Sequence, residues 1–99
     1  MLHNMSPPLT QTEIQTSLDG LPGWKFESDA LAKTYTFKNF REAMSFMVRV
    51  GFEAEALNHH PEWINVYKTV AVRLNTHDSD SKVTVLDVEL ARRMDLIAR

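Results

Sequence analysis

Apolar positions change period several times along the chain, and each change marks an element. Leu9 and Ile14 stand at hydrophobic-staple spacing around Thr10, and Glu13 completes a capping box with that threonine. A helix therefore starts there and runs to about Leu18, where Asp19-Gly20-Leu21-Pro22-Gly23 breaks it. Trp24 to Glu27 and Leu31 to Phe37 read as two strands joined at Ser28-Asp29-Ala30. The second strand alternates, with Leu31, Tyr35 and Phe37 on one face and Thr34 and Thr36 on the other. Asn39, with Glu42 three residues on, caps a long helix that runs to about Leu57 and is stopped by Pro61.

Beyond Pro61 a second hairpin carries Ile64 and Val66 on one arm and Val70, Val72 and Leu74 on the other. Matching those faces puts the turn around Lys68. Asp78-Ser79-Asp80-Ser81 is a polar loop. The segment Val83 to Val88 gives two signals, since its β-branched residues favour a strand. Thr84 and Asp87, however, have capping-box spacing, Val83 and Val88 staple spacing, and Leu86, Leu90, Met94 and Ile97 continue at helical period. The periodicity predicts a helix. The order α-β-β-α-β-β-α predicts a single α+β domain, a four-stranded antiparallel sheet with helices packed on one face. Met1 to Pro8, with its two prolines, reads as a flexible head before a domain spanning residues 9–99.

Composition narrows the function classes. Ninety-nine residues, 43% hydrophobic and 24% charged, make one ordinary globular domain. A net charge of −2 provides no basic field for a nucleic-acid backbone. No apolar run reaches the ~18–20 residues of a membrane span, and the first residues lack the pattern of a signal peptide. Cysteine is absent, so disulfides, thiolate ligands and cysteine nucleophiles are excluded and the expected compartment is cytoplasmic. Chemistry falls to imidazole, carboxylate or hydroxyl groups.

Three of the four histidines lie in one stretch. If Ile64 faces Val72 and Val66 faces Val70, extending the register sets His60 opposite Thr76 and His59 opposite His77. Opposed side chains stand ~4.5–5.5 Å apart at Cβ, so these imidazoles converge at the open end of the hairpin. Glu55 falls inside the apolar arc of the long helix, between Met44 and Val48 and one turn before His59. It either supports a histidine or snorkels to water at the helix edge. Three imidazoles and a carboxylate would also suit zinc or a non-haem metal. Adjacent His59 and His60 point apart in extended chain, however, and no preset chelate spacing exists. No G-x-S-x-G elbow or glycine-rich phosphate loop is present. Metal-free acid–base catalysis remains, because imidazole titrates near neutral pH and can give or take a proton. Trp24, Trp63 and Tyr67 are candidates to wall a planar ligand by stacking, with core packing the alternative, above all for Trp24.

Glu55-Ala56-Leu57-Asn58-His59-His60-Pro61-Glu62-Trp63-Ile64-Asn65-Val66-Tyr67, followed by Thr76-His77-Asp78, closely resembles the pterin-4a-carbinolamine dehydratases. Gly23-Trp24, Phe37 to Phe40, the long helix, and Thr84, Asp87 and Leu90-Ala91 match the family pattern in order. The resemblance implies dehydration of 4a-hydroxytetrahydrobiopterin, or a related 4a-hydroxytetrahydropterin, to the quinonoid dihydropterin. It implies the same element order, no metal and no bound cofactor, and catalytic roles for His59, His60 and His77. Glu55 and Asp87 carry over as supporting acids; Pro61, Trp63, Thr76, Asp78 and Trp24 are expected in supporting or substrate-binding positions. It further implies homodimers or homotetramers, a functional link to an aromatic amino-acid hydroxylase, and, as an alternative role, a dimerisation cofactor or transcriptional coactivator. The chain departs from the pattern at Ser79-Asp80-Ser81-Lys82, where the family usually carries glycine and a slightly shorter loop.

Overall fold

The computed structural model describes residues 6–99; Met1 to Met5 of the predicted head lie outside them. The elements are α1 (Gln11–Leu18), β1 (Lys25–Glu27), β2 (Ala30–Thr36), α2 (Phe40–Leu57), β3 (Glu62–Val66), β4 (Thr69–Leu74) and α3 (Val85–Ala98). A short 3-10 turn, His77–Ser79, lies between β4 and α3. The predicted order and fold class hold. Of the head, the Ser6 carbonyl accepts from Ser79 Oγ at 2.5 Å.

Both capping boxes form. Thr10 and Glu13 exchange hydrogen bonds at the start of α1, and Thr84 with Asp87 opens α3, so the local cap outweighs the β-branched residues around it. Asn39 accepts from the Glu42 amide at 2.9 Å and starts α2. The end of α2 is set earlier than Pro61, by Asn58 in the left-handed region at φ 50°, whose N–H reaches the Ala54 and Glu55 carbonyls. The first hairpin turns on Ser28 and Asp29, both left-handed at φ 50° and 58°, while Ala30 already belongs to β2.

The sheet order is β1-β2-β4-β3, with antiparallel neighbours. α2 and α3 pack on one another and against β4 and β2. Phe46, Leu31, Val50, Val70, Leu74, Leu90 and Met94 are buried between the layers. Phe46 packs beside Tyr35 and Phe37 at centroid separations of 4.7 and 4.9 Å. The buried stripe of α2 is Ala43, Phe46, Val50 and Ala54, narrower than the predicted arc. Phe40, Met44, Val48 and Phe52 are exposed, which puts Glu55 on the open edge of that arc.

The second hairpin departs from the expected register by one residue. Val66 pairs with Thr69, Ile64 with Ala71 and Trp63 with Val72. A one-residue slip exchanges the two faces of a strand. Ile64 and Val66 therefore point outward, while Trp63 packs against the core. The cause is a two-residue turn, Tyr67-Lys68, with Tyr67 left-handed at φ 52°. The Asn65 side-chain amide donates to the carbonyls of Tyr67 at 3.1 Å and Thr69 at 2.9 Å, and Thr69 Oγ1 donates to the Val66 carbonyl. Matching hydrophobic faces predicted one pairing; hydrogen bonding in the turn imposed another.

A polar knot closes the distal end of the helix layer. Asp95 Oδ1 accepts from Trp24 Nε1 at 3.1 Å, from Lys33 Nζ at 2.8 Å and from the Tyr35 hydroxyl. Burial, then the Asp95 carboxylate, push the Tyr35 phenol far above its ordinary value of 10.0. Since the folded value lies above the unfolded one, this contribution to stability is complete below pH 10 and declines as pH rises beyond it. Tyr35→Phe is expected to flatten the alkaline fall in melting temperature. Asn65→Ala is expected to cost about 1–2 kcal/mol in urea unfolding, from two lost hydrogen bonds. Asn65→Asp should not restore it, because a carboxylate cannot donate.

Candidate active site

The end of α2, the turn after β4 and the start of α3 meet at one corner of the domain. Asn58 turns the chain out of α2 and sends His59 inward, where it is 6% exposed. Its Nε2 lies 2.5 Å from Asp87 Oδ1. Asp87 is fully buried in the first turn of α3 and also accepts from Thr76 Oγ1 at 2.9 Å and the Thr84 N–H at 2.8 Å. A carboxylate only accepts, so His59 Nε2 is the donor in this contact.

His60 lies on the surface, with Nε2 2.9 Å from Glu55 Oε1. Both Glu55 readings thus meet in one geometry: the carboxylate reaches water and supports a histidine, which is His60. His77 is exposed on the 3-10 turn. Asn58, His59, His60, Asn75, Thr76, His77 and Asp78 line a cleft of about 220 Å³. The imidazoles converge as expected, though by a different route. The ladder between β3 and β4 stops at Glu62 and Arg73, so none of the three histidines is strand-paired. Thr76 and Asp87 draw His59 in, and the 3-10 turn brings His77 alongside.

The other expected members are distributed. Pro61 is half-buried between His60 and β3, and Trp63 packs against the core beside Val72. Tyr67 stands exposed at the far turn of the hairpin. Trp24 is buried edge-on against Tyr35 at 6.2 Å and bonded to Asp95. Asp95 lies eight residues along α3 from Asp87, about 12 Å at the helical rise, so the structure puts Trp24 in the core rather than at the cleft. A larger cavity there, about 470 Å³, is lined by Lys33, Tyr35, Arg92 and Asp95 among others. Lys33 and Tyr35 there both bond to Asp95, whereas the smaller cleft holds the three imidazoles. Among the described residues no three His, Cys, Asp or Glu side chains gather as a metal-holding group. Thr84, Asn58 and Asn75 belong to this corner without having been expected as site residues; Thr84 entered the sequence analysis as a helix cap and, with Asn58, as part of the family pattern.

Fold and cleft define a class: a small α+β protein with a cleft lined by three imidazoles, two of them paired with carboxylates. The comparisons specify it. The family model for pterin 4 alpha carbinolamine dehydratase matches residues 7–97. A protein of Opitutus terrae named "Putative pterin-4-alpha-carbinolamine dehydratase" is 67% identical over 90 residues, covering 91% of this chain and 93% of that one. A protein of the same name from Bradyrhizobium diazoefficiens is 50% identical over 97 residues, covering 96% of each. A crystal structure described as "transcriptional coactivator/pterin dehydratase from Brucella Melitensis" superposes with a TM-score of 0.89 at 41% identity, covering 93% of this chain and 99% of that one. This chain belongs to the pterin 4 alpha carbinolamine dehydratase family. Membership supports pterin-4a-carbinolamine dehydratase activity in general terms.

The two histidine–carboxylate pairs differ in burial and so in energetic weight. Asp87→Asn is expected to lower stability by about 1–3 kcal/mol, because the amide cannot accept on both sides and leaves a buried donor unpaired. Glu55→Gln, at a solvated pair, should leave the urea midpoint nearly unchanged.

Proposed function

We propose that this chain dehydrates 4a-hydroxytetrahydrobiopterin, or a related 4a-hydroxytetrahydropterin, to the quinonoid dihydropterin and water by histidine acid–base catalysis. The observation that carries the reading is one cleft lined by His59, His60 and His77, with His59 backed by buried Asp87. Hydroxide is a poor leaving group. The C4a–O bond breaks as an imidazolium protonates the departing hydroxyl, and the N5 lone pair closes the N5=C4a bond. A neutral imidazole takes the N5 proton. His59, with its Nδ1 lone pair, and His77 exchange these two roles, while His60 holds the 4a-hydroxyl. Pro61, Thr76 and Asp78 flank or line the cleft as supporting residues. Each proton transfer is worth ~10²–10⁴-fold in rate.

The reaction recycles a spent tetrahydropterin, which links the chain to an aromatic amino-acid hydroxylase, and its expected setting is the cytoplasm. Among the described residues no helix is long and apolar enough to cross a membrane. Self-association as a homodimer or homotetramer is supported by the edge position of β3 and by exposed Phe40, Met44, Val48 and Phe52 on α2. The same surface favours a second reading, a dimerisation cofactor or transcriptional coactivator; the description of the Brucella protein gives that protein the name transcriptional coactivator.

The test is turnover of a freshly generated 4a-hydroxytetrahydropterin. The wild type should accelerate dehydration, with activity unchanged by chelator. The His59→Ala, His77→Ala double variant should lose at least ~10²-fold. Full activity in that variant would sink the scheme. A stoichiometric protein partner without any turnover would make the second reading the primary one.

A further inference from the structure

The two capping boxes of this chain are built alike and situated differently. In α1 the Thr10–Glu13 pair is exposed, and its groups serve only the helix end. In α3 Thr84 and Asp87 are fully buried, and a second hydroxyl, Thr76, lies between them with 1% exposure. Thr76 Oγ1 is 2.7 Å from Thr84 Oγ1 and 2.9 Å from Asp87 Oδ2.

Proton counting fixes the direction of this chain. A hydroxyl has one hydrogen to donate. Asp87 can only accept, so Thr76 spends its hydrogen on Asp87. The short contact between the hydroxyls must then be donated by Thr84. Thr84 Oγ1 in turn accepts from the Leu86 N–H at 3.2 Å. The directed run is Leu86 N–H to Thr84, Thr84 O–H to Thr76, Thr76 O–H to Asp87, with His59 Nε2–H arriving on the other carboxylate oxygen. No member has freedom to turn without orphaning a buried polar group, which is costly.

We propose that Thr84 is a positioning residue for His59, acting through Thr76 and Asp87, so that the cap of α3 also fixes the tautomer and ring orientation of that imidazole. The catalytic role of His59 rests on the proposed dehydratase reading; the structural coupling does not. Thr84 touches no cleft-lining space itself. Its effect passes through a carboxylate that has no alternative partner set. The contacts of His59 with Asp87 and of Asp87 with the two threonines are all removed from water, so a lost hydroxyl is not replaced by solvent without opening the corner.

The experiment compares wild type, Thr84→Val, Thr84→Ser and Thr10→Ala, the last a control for loss of an ordinary cap. Ring ¹⁵N NMR reads the His59 tautomer in the free protein, and steady-state kinetics read kcat and KM. Wild type and Thr84→Ser should show His59 protonated at Nε2 alone. Thr84→Val should mix the tautomers and lower kcat about 10-fold, with KM changed less than twofold. Thr10→Ala should lose stability with neither change. Should Thr84→Val not fold, Thr84→Ala takes its place, and the wild-type tautomer still decides: a ring protonated at Nδ1 overturns the proposal. So does an unchanged tautomer and kcat in Thr84→Val, or failure of serine to rescue. If the tautomer responds as stated but no form of the protein turns over a 4a-hydroxypterin, the coupling stands and the dehydratase reading fails.

Discussion

A carboxylate with no access to water must have its charge answered from within the fold, and Asp87 is where this protein meets that demand. Its two oxygens receive an imidazole N–H, a hydroxyl and a backbone amide from three separate stretches of chain. One stretch leaves α2, one follows β4, and one begins α3. Satisfying one ion therefore fixes how the two halves of the domain close on each other. That the cleft opens at this seam follows from the same requirement: the groups that tie the corner are the ones whose remaining faces look out of it.

Much of the plan was legible because it is locally encoded. Thr10 with Glu13, Asn39 with Glu42 and Thr84 with Asp87 announce helix starts within four residues, and all three do so in the structure. The second hairpin was not legible from its apolar residues. Ile64, Val66, Val70 and Val72 suggest a common face, yet the ladder pairs Ile64 with Ala71 and turns Ile64 and Val66 outward. The deciding residue was Asn65, a polar side chain whose two donated bonds hold the turn. Hydrophobic matching assumes that buried faces choose the register; here a short side chain wrapped around its own turn did so.

The histidines were legible as a group and not as individuals. Their clustering follows from topology, whatever the register, because both ends of the hairpin return to the same edge of the helix layer. Their different environments follow from tertiary contacts that no spacing rule contains. His59 enters the fold because Asn58 adopts a left-handed turn, and His60 stays outside beside Glu55. Adjacent residues thereby acquire opposite settings, one buried against a carboxylate and one solvated beside another.

The same helix, α3, carries a second multiply bonded carboxylate, whose donors differ in kind. Asp95 gathers an indole, a phenol and the Lys33 ammonium on a single oxygen. None of those donors is an imidazole, and the phenol is pushed far above its ordinary value by burial and by Asp95 itself. That knot ties β2 and the residue before β1 to α3. Asp87 instead holds an imidazole, whose unperturbed pKa near ~6.5 lies within the range where a proton is readily gained or lost. The chemical identity of one donor, rather than the number of hydrogen bonds or the size of the adjoining cavity, separates a structural fastening from a group that can move protons.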